Sequence, residues 1–289
     1  MKIVYLGTDA YLSCFLELSK QCEILALYTC LGPEDFFRNL QTVEYAKAHD
    51  IPVYEHTITA DEEREWIAKG CRLFVSADYG RKIPVLTEKE GFFGINIHQS
   101  LLPEGRSYCP VECAMEKGLR RTGVTIHKLS DKLDRGDILL QENVEILEQE
   151  DSVDIYLKCE NTAMDMLTQL AQGFEEIWGN AKPQKELLPY WSIEHIEDAR
   201  FTHELSMAEA KRRYRIYNRM VRVRIAGEVY FVKSIYSSHT PIAADVIDLG
   251  DICLYRLADG HLRLGLIAAS DPAVWAAKSY PFRKSGREA

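Results

Sequence analysis

Two polar residues interrupt an apolar stretch of the chain at Gly94–Pro103, GINIHQSLLP. Asn96 and His98 stand two positions apart, and residues at i and i+2 of a β-strand lie on the same face of the sheet. A side-chain amide can donate a neutral hydrogen bond to developing negative charge, and an imidazole exchanges a proton near neutral pH. Because unpaired polar groups in a core are costly, this pair must either be hydrogen-bonded structurally or face a cleft.

Other residues that could bind a ligand give weaker sequence evidence for a functional site. Gly7 and Thr8 follow a predicted strand, and they could either bind a phosphate at a helix N-terminus or form a simple strand-to-helix turn, since no further glycine follows. Lys211–Arg224 is a basic stretch in an acidic chain, which indicates either a solvated helix face or a phosphate-binding surface. We expect the isolated histidines to be exposed or hydrogen-bonded rather than ligands: His127, His203 and His261.

The elements that must position these residues alternate between strands and helices in the first half of the chain. Apolar runs predict strands at Lys2–Leu6, Ile24–Tyr28, IPVY, Leu73–Ala77, Ile95–His98, Val124–Lys128 and Ile138–Val144. Val43–His49 is typical of a helix, and Asp151 or Ser152 can cap a long amphipathic helix that runs to about Trp178. This alternation predicts βαβ units and a mostly parallel sheet.

The pattern changes after residue 178. Residues 179–198 carry two prolines and no clear period, and we interpret them as a linker. Beyond them, Ser206 and Glu209 form a capping-box pattern, alternating residues surround Gly227, and Asp259-Gly260 marks a hairpin turn. We therefore predict an α/β protein with a Rossmann-like domain of mostly parallel sheet at residues 1–178, a linker at 179–198 and a small β-rich, OB-like domain at 199–289.

Composition narrows the class of protein further. The chain has 289 residues, 46% of them apolar, and a formal net charge of −9, which argues against broad nonspecific binding of nucleic acid. The eight cysteines lack zinc-ligand spacing and are expected to be free thiols in a reducing cytoplasm. The start MKIVYLGTD predicts no signal peptide, and no apolar run approaches the roughly 20 residues that span a bilayer. We expect a soluble cytoplasmic protein.

The residues around Asn96 and His98 resemble one family closely. The ordered set consists of these two residues, the SLLP turn, Gly123-Val124-Thr125 and the segment LDRGD that contains Asp134. It is similar to the formyltransferases that use 10-formyltetrahydrofolate, which include methionyl-tRNA, glycinamide-ribotide and sugar-nucleotide formyltransferases. The resemblance is strong over Leu73–Glu142 and loose over the rest of the chain.

The resemblance implies roles for residues of this chain. It assigns catalysis to Asn96, His98 and Asp134, and it implies that the Ala77–Pro84 segment lies against the folate pterin. Donor binding, mainly through main chain, is expected at Arg81, Lys82, Ile83, Asp131, Lys132 and Leu133. Binding of the amine substrate is expected at Gly7, Thr8, Arg106 and Tyr108. No metal is implied.

The family pattern thins in two places, and both concern the amine acceptor. The stretch CLGPEDFFRNLQT is shorter than the basic, glycine-rich loop of methionyl-tRNA formyltransferases and lacks its Lys/Arg cluster. After SLLP, those enzymes carry RxRGAAP, whereas this chain keeps Arg106 and Pro110 but has Tyr108 where a small residue is usual. These departures indicate an altered acceptor pocket and weaken the tRNA interpretation.

Three interpretations follow. The first is transfer of a formyl group from 10-formyltetrahydrofolate to an amino sugar on a nucleotide diphosphate, with no nucleic acid or membrane partner and a possible homodimer. The second is transfer to another amine, such as methionyl-tRNA or a hydroxamate or peptide precursor. The third is a hydrolytic or non-catalytic folate-binding relative, against which the intact Asn96, His98 and Asp134 set argues.

Overall fold

The computed structural model of the chain describes residues 1–29, 40–185, 188–191 and 199–268. Its helices are α1 (Leu12–Gln21), α2 (Leu40–Ala48), α3 (Ala60–Ala68), α4 (Pro110–Glu116), α5 (Ser152–Gln172), α6 (Phe174–Gly179) and α7 (Met207–Tyr217). The strands of the first half are β1 (Lys2–Gly7), β2 (Glu23–Tyr28), β3 (Val53–Tyr54), β4 (Leu73–Ala77), β5 (Gly94–His98), β6 (Arg121–Lys128) and β7 (Ile138–Glu145). Those of the second half are β8 (Arg200–Phe201), β9 (Arg222–Ile225), β10 (Glu228–Ser238), β11 (Val246–Asp248), β12 (Ile252–Arg256) and β13 (His261–Ala268).

The first sheet has seven strands in the order β3-β2-β1-β4-β5-β6-β7. The five strands from β3 to β5 run parallel to one another, and β6 and β7 continue the sheet in antiparallel fashion. Parallel strands are covered on both faces, which explains why β4 is buried along its whole length. The predicted Rossmann-like, mostly parallel sheet is confirmed.

Apolar side chains on the two faces of this sheet enter two separate clusters. Ile3 and Tyr5 of β1 pack with α1 and α5 in the larger cluster, whereas Val4 and Leu6 pack in the smaller cluster with Trp66 of α3. This division follows from the alternation of side chains along a strand. Both clusters contain residues of β4, and the larger one also contains Ile95 and Ile97 of β5; these two strands carry polar residues of the site.

The long helix predicted from Asp151 onward is present but divided. Asp151 is its N-cap, accepting hydrogen bonds from the backbone of Val153 and Asp154 in a capping box. The helix ends at Gln172 rather than continuing to Trp178, and α6 begins after Gly173. Glycine has a low helix propensity, so interrupting the helix at Gly173 costs less free energy than interrupting it at a neighbouring residue.

The second sheet contains six strands in the order β11-β12-β13-β10-β9-β8, and it confirms the predicted strand-rich second region. The turn at Ala226-Gly227 joins β9 to β10, and the loop containing Asp259-Gly260 joins β12 to β13 in an antiparallel pair. Ser206 caps α7 by accepting a hydrogen bond from the backbone N–H of Glu209.

Much of the basic stretch Lys211–Arg224 is bound within the protein. Arg215 donates to the backbone carbonyls of Glu150 at 2.7 Å and Leu147 at 2.9 Å, which joins α7 to the loop before α5. Arg213 pairs with Glu209 at 2.8 Å. Arg215 therefore stabilises the contact between the two halves of the chain, Arg213 stabilises α7 itself, and the geometry favours the structural interpretation of the stretch.

Seven of the eight cysteines lie in the described ranges, and all seven are buried free thiols. No helix within these ranges is long and apolar enough to cross a bilayer. The limits of the linker and of the two predicted domains stay predictions, because residues 186–187 and 192–198 lie outside the described part of the chain.

Candidate active site

A row of polar side chains crosses the middle of the first sheet. The register pairs Asn96 with His127 of β6, and it pairs His98 with Thr125. On the other side, Ser76 of β4 lies beside Asn96. Paired residues in neighbouring strands point to the same face, so the sheet gathers these five side chains on one surface. This surface lies toward the carboxyl ends of the parallel strands, where open α/β sheets bind ligands.

The side chain of Asn96 is held at both ends. Its Oδ1 accepts a hydrogen bond from the Ser76 hydroxyl at 2.9 Å, and its Nδ2 lies 3.3 Å from Nε2 of His127. His127 is buried, and Nδ1 of its ring donates to the carbonyl of Lys128 at 2.8 Å. Burial lowers the pKa of His127, although the nearby Asp134 acts in the opposite direction. A neutral ring with its proton on Nδ1 accepts from Asn96 at Nε2, which leaves the second N–H of Asn96 for another acceptor.

His127 is a candidate site residue that the sequence analysis leaves among the isolated histidines. A signal was present in the sequence: VTIHK alternates, so Thr125 and His127 share a face just as Asn96 and His98 do. What the sequence lacks is the antiparallel register that brings His127 opposite Asn96.

His98 and Asp134 come together although 35 residues separate them along the chain. Nδ1 of His98 lies 3.7 Å from a carboxylate oxygen of Asp134, and both side chains are about 5% exposed. On the other side of the ring, Nε2 of His98 lies 2.9 Å from the carbonyl of Gly105. A carbonyl only accepts, so Nε2 carries a proton and a second proton on Nδ1 would point toward the carboxylate. Asp134 also lies 3.8 Å from Nε2 of His127.

The loop between β6 and β7 fixes the position of Asp134. Its backbone is left-handed, with φ at 54°, a region that Asp tolerates better than most residues. Gly136 follows closely, and a Cβ there would collide with the carbonyl of Lys128. Gln184 donates to the carbonyls of Asp134 at 3.0 Å and Gly136 at 2.8 Å. The loop therefore has one rigid arrangement that presents the carboxylate to His98.

A cavity of about 50 Å³ lies near the start of β5. It is bounded by Val85, Leu86, Glu88, Phe92, Gly94, Lys128, Leu129 and Trp178. Gly94 stands two positions before Asn96 on the same face, and Leu129 stands two positions after His127. Pockets for whole drug-sized ligands measure roughly 300–1,000 Å³. This cavity has room for only about one or two water molecules, so it is a small gap near the polar row rather than a ligand pocket.

The residues expected to bind the donor have mixed exposure. Ile83 is buried in the smaller apolar cluster, and the guanidinium of Arg81 donates to the backbone carbonyl of Glu55. The remaining four are exposed: Lys82, Asp131, Lys132 and Leu133. Their segments flank the cavity, because Val85 and Leu86 follow the first and Leu129 begins the second. Donor binding at these positions stays a prediction.

The residues Gly7 and Thr8, expected near the acceptor, have structural contacts. A Cβ at Gly7 would lie 2.6 Å from the carbonyl of Ala77, so the residue allows β1 and β4 to approach closely. The Thr8 hydroxyl donates to Asp78 at 2.7 Å and caps a short helical turn through Ala10 at 3.3 Å. With a carboxylate beside it, this turn is less suited to an anion than the sequence indicates, and the geometry favours the simple strand-to-helix turn.

Arg106 and Tyr108 differ in exposure. Arg106 is about 5% exposed, its Nη2 donates to the carbonyl of Leu188, and its Nε has no hydrogen-bond partner among the described residues. A buried guanidinium without a carboxylate is costly, which makes Arg106 a candidate for binding an anionic ligand. Tyr108 is about half exposed. Across the described ranges, no group of His, Cys, Asp and Glu side chains is arranged to hold a metal ion.

The relatives of this chain fall in one family. Residues 54–170 match the formyl transferase family. The chain is 29% identical to the methionyl-tRNA formyltransferase of Streptococcus thermophilus over 63% of its own length and 61% of that protein. It is 35% identical to the protein of the same name from Anaplasma marginale over 53% of its own length and 54% of that protein. The chain thus spans about three fifths or less of these curated relatives.

Solved structures share the fold at lower identity. HypX from Aquifex aeolicus in complex with tetrahydrofolic acid gives a TM-score of 0.64 at 18% identity, covering 91% of this chain and 43% of HypX. A 4-N formyltransferase from Francisella tularensis gives 0.58 at 20% identity, covering 80% and 96%. WlaRD, a sugar 3N-formyl transferase solved in the presence of dTDP and 5-N-formyl-THF, gives 0.57 at 15% identity, covering 94% and 98%.

A mostly parallel α/β sheet with polar groups gathered toward its carboxyl ends defines the general class, a protein that binds a ligand at the sheet edge. Residues 54–170 narrow it further, because they match the formyl transferase family, and the curated relatives described above are methionyl-tRNA formyltransferases. The resemblance inferred from the sequence is confirmed.

Proposed function

We propose that this protein is an N-formyltransferase that moves a formyl group from 10-formyltetrahydrofolate to the primary amine of an amino sugar carried on a nucleotide diphosphate. The observation that carries the proposal is the convergence of Asn96, His98 and Asp134 on one face of the sheet, around His127. An amide donor, an imidazole and a carboxylate are the groups that acyl transfer to an amine requires.

The reaction follows from the chemistry of these groups. The neutral amine nitrogen attacks the formyl carbon, and negative charge develops on the formyl oxygen. The unused N–H of Asn96 donates to this oxygen. The Nδ1–H of protonated His98, which at 3.7 Å from Asp134 is not hydrogen-bonded to it, adds a charge-assisted hydrogen bond. The bond between the formyl carbon and the folate nitrogen N10 then breaks, as a proton passes from the amine to N10. Asp134 steers this proton and stabilises a charged His98.

The donor is proposed to lie between the segment Ala77–Pro84 and the segment Leu129–Asp134. Exposed loop backbone can supply the hydrogen bonds that a pterin requires. Hydrogen exchange measured with and without a folate analogue tests this placement: protection is expected in both segments. Protection confined to other parts of the chain would contradict it.

The distribution of positive charge in the protein supports an acceptor linked to a nucleotide diphosphate. The described arginines of Lys211–Arg224 are largely engaged within the protein, while the buried guanidinium of Arg106 has no carboxylate partner among the described residues. One anionic group on a small substrate suits this arrangement better than a long polyanion does. The two solved structures named as 4-N and sugar 3N-formyl transferases support the same choice.

A second candidate acceptor is methionyl-tRNA, because the curated relatives in sequence carry the name methionyl-tRNA formyltransferase. Binding of tRNA requires many Lys/Arg–phosphate contacts and therefore weakens steeply with salt. We expect no stable tRNA complex at physiological salt. Tight binding with a steep salt slope would favour this candidate.

The deciding experiment incubates the protein with 10-formyltetrahydrofolate and a panel of amines, and then measures product masses. The panel contains nucleotide-linked amino sugars, charged methionyl-tRNA and buffer alone, with the Asp134→Asn variant as a control. Formylation of an amino sugar that is lost in this variant supports the proposal. Formylation of the tRNA alone, or release of formate without an amine product, would overturn it.

A further inference from the structure

A segment after α6 crosses the site, and we call it the strap: Lys182–Lys185 together with Leu188–Trp191. Its first part is tied to the end of the sheet, because Lys182 exchanges backbone hydrogen bonds of 2.8 Å with Ile138 in both directions. Gln184 then donates to the carbonyls of Asp134 and Gly136. The strap thus contacts the loop that presents the Asp134 carboxylate.

The second part of the strap is tied to the other side of the site. The guanidinium of Arg106 donates to the carbonyl of Leu188, and the N–H of Trp191 donates to the carbonyl of Arg106 at 2.8 Å. Trp191 also packs near Gly105, whose carbonyl accepts from His98. The strap therefore runs between the backbone that holds His98 and the loop that holds Asp134.

Tyr190 brings an aromatic ring to this position. Its ring centroid lies 5.9 Å from that of Tyr108 in an edge-to-face arrangement, and the two residues are 40% and 54% exposed. Burial of the hydroxyl raises the pKa of Tyr190, and the negative charges of Tyr108 and Asp134 raise it further. The ring thus lies on the strap beside Tyr108, Gln184 of the strap contacts the Asp134 loop, and much of the ring remains open to solvent.

We infer that Tyr190 and Tyr108 form an aromatic edge that binds a ring of the acceptor, either its sugar or its base, beside the reacting amine. This inference deepens the proposed function and rests on it. Exposed aromatic surface at a polar catalytic cluster is typical of a binding site. An aromatic ring can stack on a planar or saccharide ring of a ligand. Tyr190 comes from outside the matched family segment, so the strap sets acceptor specificity independently of the catalytic residues.

The inference competes with a purely structural role, in which the two tyrosines only cover the strap. The roles differ in their dependence on the ligand. A structural role predicts that loss of the Tyr190 ring affects folding and all ligands alike. A binding role predicts an effect on acceptor ligands that contain a ring, and none on pyrophosphate, which has no ring, or on tetrahydrofolate, which is proposed to bind elsewhere.

The test is isothermal titration calorimetry of Tyr190→Ala and Tyr190→Phe with thymidine diphosphate, a thymidine-diphosphate-linked amino sugar, pyrophosphate and tetrahydrofolate. Because Tyr190→Ala removes the stacking ring, it is expected to bind thymidine diphosphate or the linked amino sugar about tenfold more weakly. Pyrophosphate and tetrahydrofolate should keep their wild-type affinities, and Tyr190→Phe should bind as the wild type does. Tyr236→Ala, at another exposed tyrosine, on β10, is the control.

The outcomes separate the base from the sugar. If Tyr190→Ala binds thymidine diphosphate and the thymidine-diphosphate-linked amino sugar more weakly by the same factor, the base contacts Tyr190. If only the linked amino sugar binds more weakly, the sugar contacts Tyr190. Unchanged affinity for both in a folded Tyr190→Ala protein, or no binding of either by the wild type, overturns the inference. Binding that depends on Tyr190 without formylation of any amine keeps the inference and refutes the proposed function.

Discussion

At the scale of single residues, the site depends on how the Asn96 amide is oriented. Ser76 donates to its oxygen, so the nitrogen end must face His127. Burial lowers the pKa of His127 and keeps the ring neutral at neutral pH, which lets Nε2 accept one of the two N–H groups. The second N–H of Asn96 is therefore fixed in position and available to a substrate oxygen. A donor fixed in advance in this way stabilises developing charge without reorganisation during the reaction.

Replacing His98 by Asn is expected to lower kcat by roughly two orders of magnitude or more, because an acid–base or oxyanion group is lost. Steady-state rates of formylation measure the effect, with His239→Asn as a control at an exposed histidine. The dissociation constant of tetrahydrofolate should change little. A folded variant with turnover close to that of the wild type would remove His98 from the mechanism.

Replacing Arg106 by Ala is expected to raise the KM of the phosphorylated acceptor roughly ten- to a hundredfold, as loss of a charge-assisted hydrogen bond does. The KM of the formyl donor should stay within about twofold. Because Arg106 also bonds the strap, Arg106→Lys is the companion variant, which keeps the charge and loses the planar fork. An unchanged acceptor KM in both variants would contradict the assignment.

At the scale of elements, two features bring the catalytic groups together. The antiparallel register of β5 and β6 places His127 opposite Asn96, and a shift by one residue would turn His127 to the other face. The loop from Leu129 to Asp137 then returns the chain so that Asp134 lies 3.7 Å from His98. The left-handed backbone at Asp134 is tolerated because Gln184 and the close packing at Gly136 hold the loop on both sides.

Gly136→Ala tests the loop. The new Cβ would collide with the Lys128 carbonyl, which is backbone and cannot move aside, so we expect a loss of about 1–3 kcal/mol in the free energy of unfolding. Turnover should fall as well, since Asp134 moves with the loop. Thermal denaturation and kcat are the measurements. Gly179→Ala is the control, because an added Cβ there meets nothing within 4 Å.

At the scale of the whole molecule, buried acids outside the site should control how stability varies with pH. Both carboxylate oxygens of Glu63 on α3 are buried without a hydrogen-bond partner among the described residues. Burial raises the pKa of Glu63 to about 8, with Arg64 acting against this and Glu90 adding to it. The folded state therefore holds a proton that the unfolded chain has already released above its ordinary pKa of 4.5.

The sign of the effect is that stability falls as pH rises between the two pKa values. Glu63 contributes a slope of about 1.4 kcal/mol per pH unit between roughly pH 5 and pH 8. Glu63→Gln is expected to remove this slope and to be more stable than the wild type at pH 8. Urea denaturation across this range measures it, with the exposed Glu65→Gln as control. Parallel stability curves for wild type and Glu63→Gln would refute a buried acid at this position.

The sequence by itself determined what depends on local chemistry. Alternation and apolar runs located the strands, Asp151 located the start of α5, and the spacing of Asn96, His98 and the LDRGD segment indicated the family. These features are readable because strand pleat, helix capping and tight turns involve neighbours within a few residues of one another. The class of protein and the three central candidates followed from them.

Only the tertiary structure decided what depends on contacts between distant segments. The register of β5 and β6 brings His127 to the site. The strap covers Arg106 and accepts a hydrogen bond from it. Tyr190 lies beside Tyr108 although its segment has no hydrophobic period. No local pattern encodes these positions, since each results from packing and hydrogen bonds between residues that are 30 or more positions apart. Short sequence motifs thus indicate the catalytic residues of the family, whereas the residues that would contact an acceptor are brought together only by the fold.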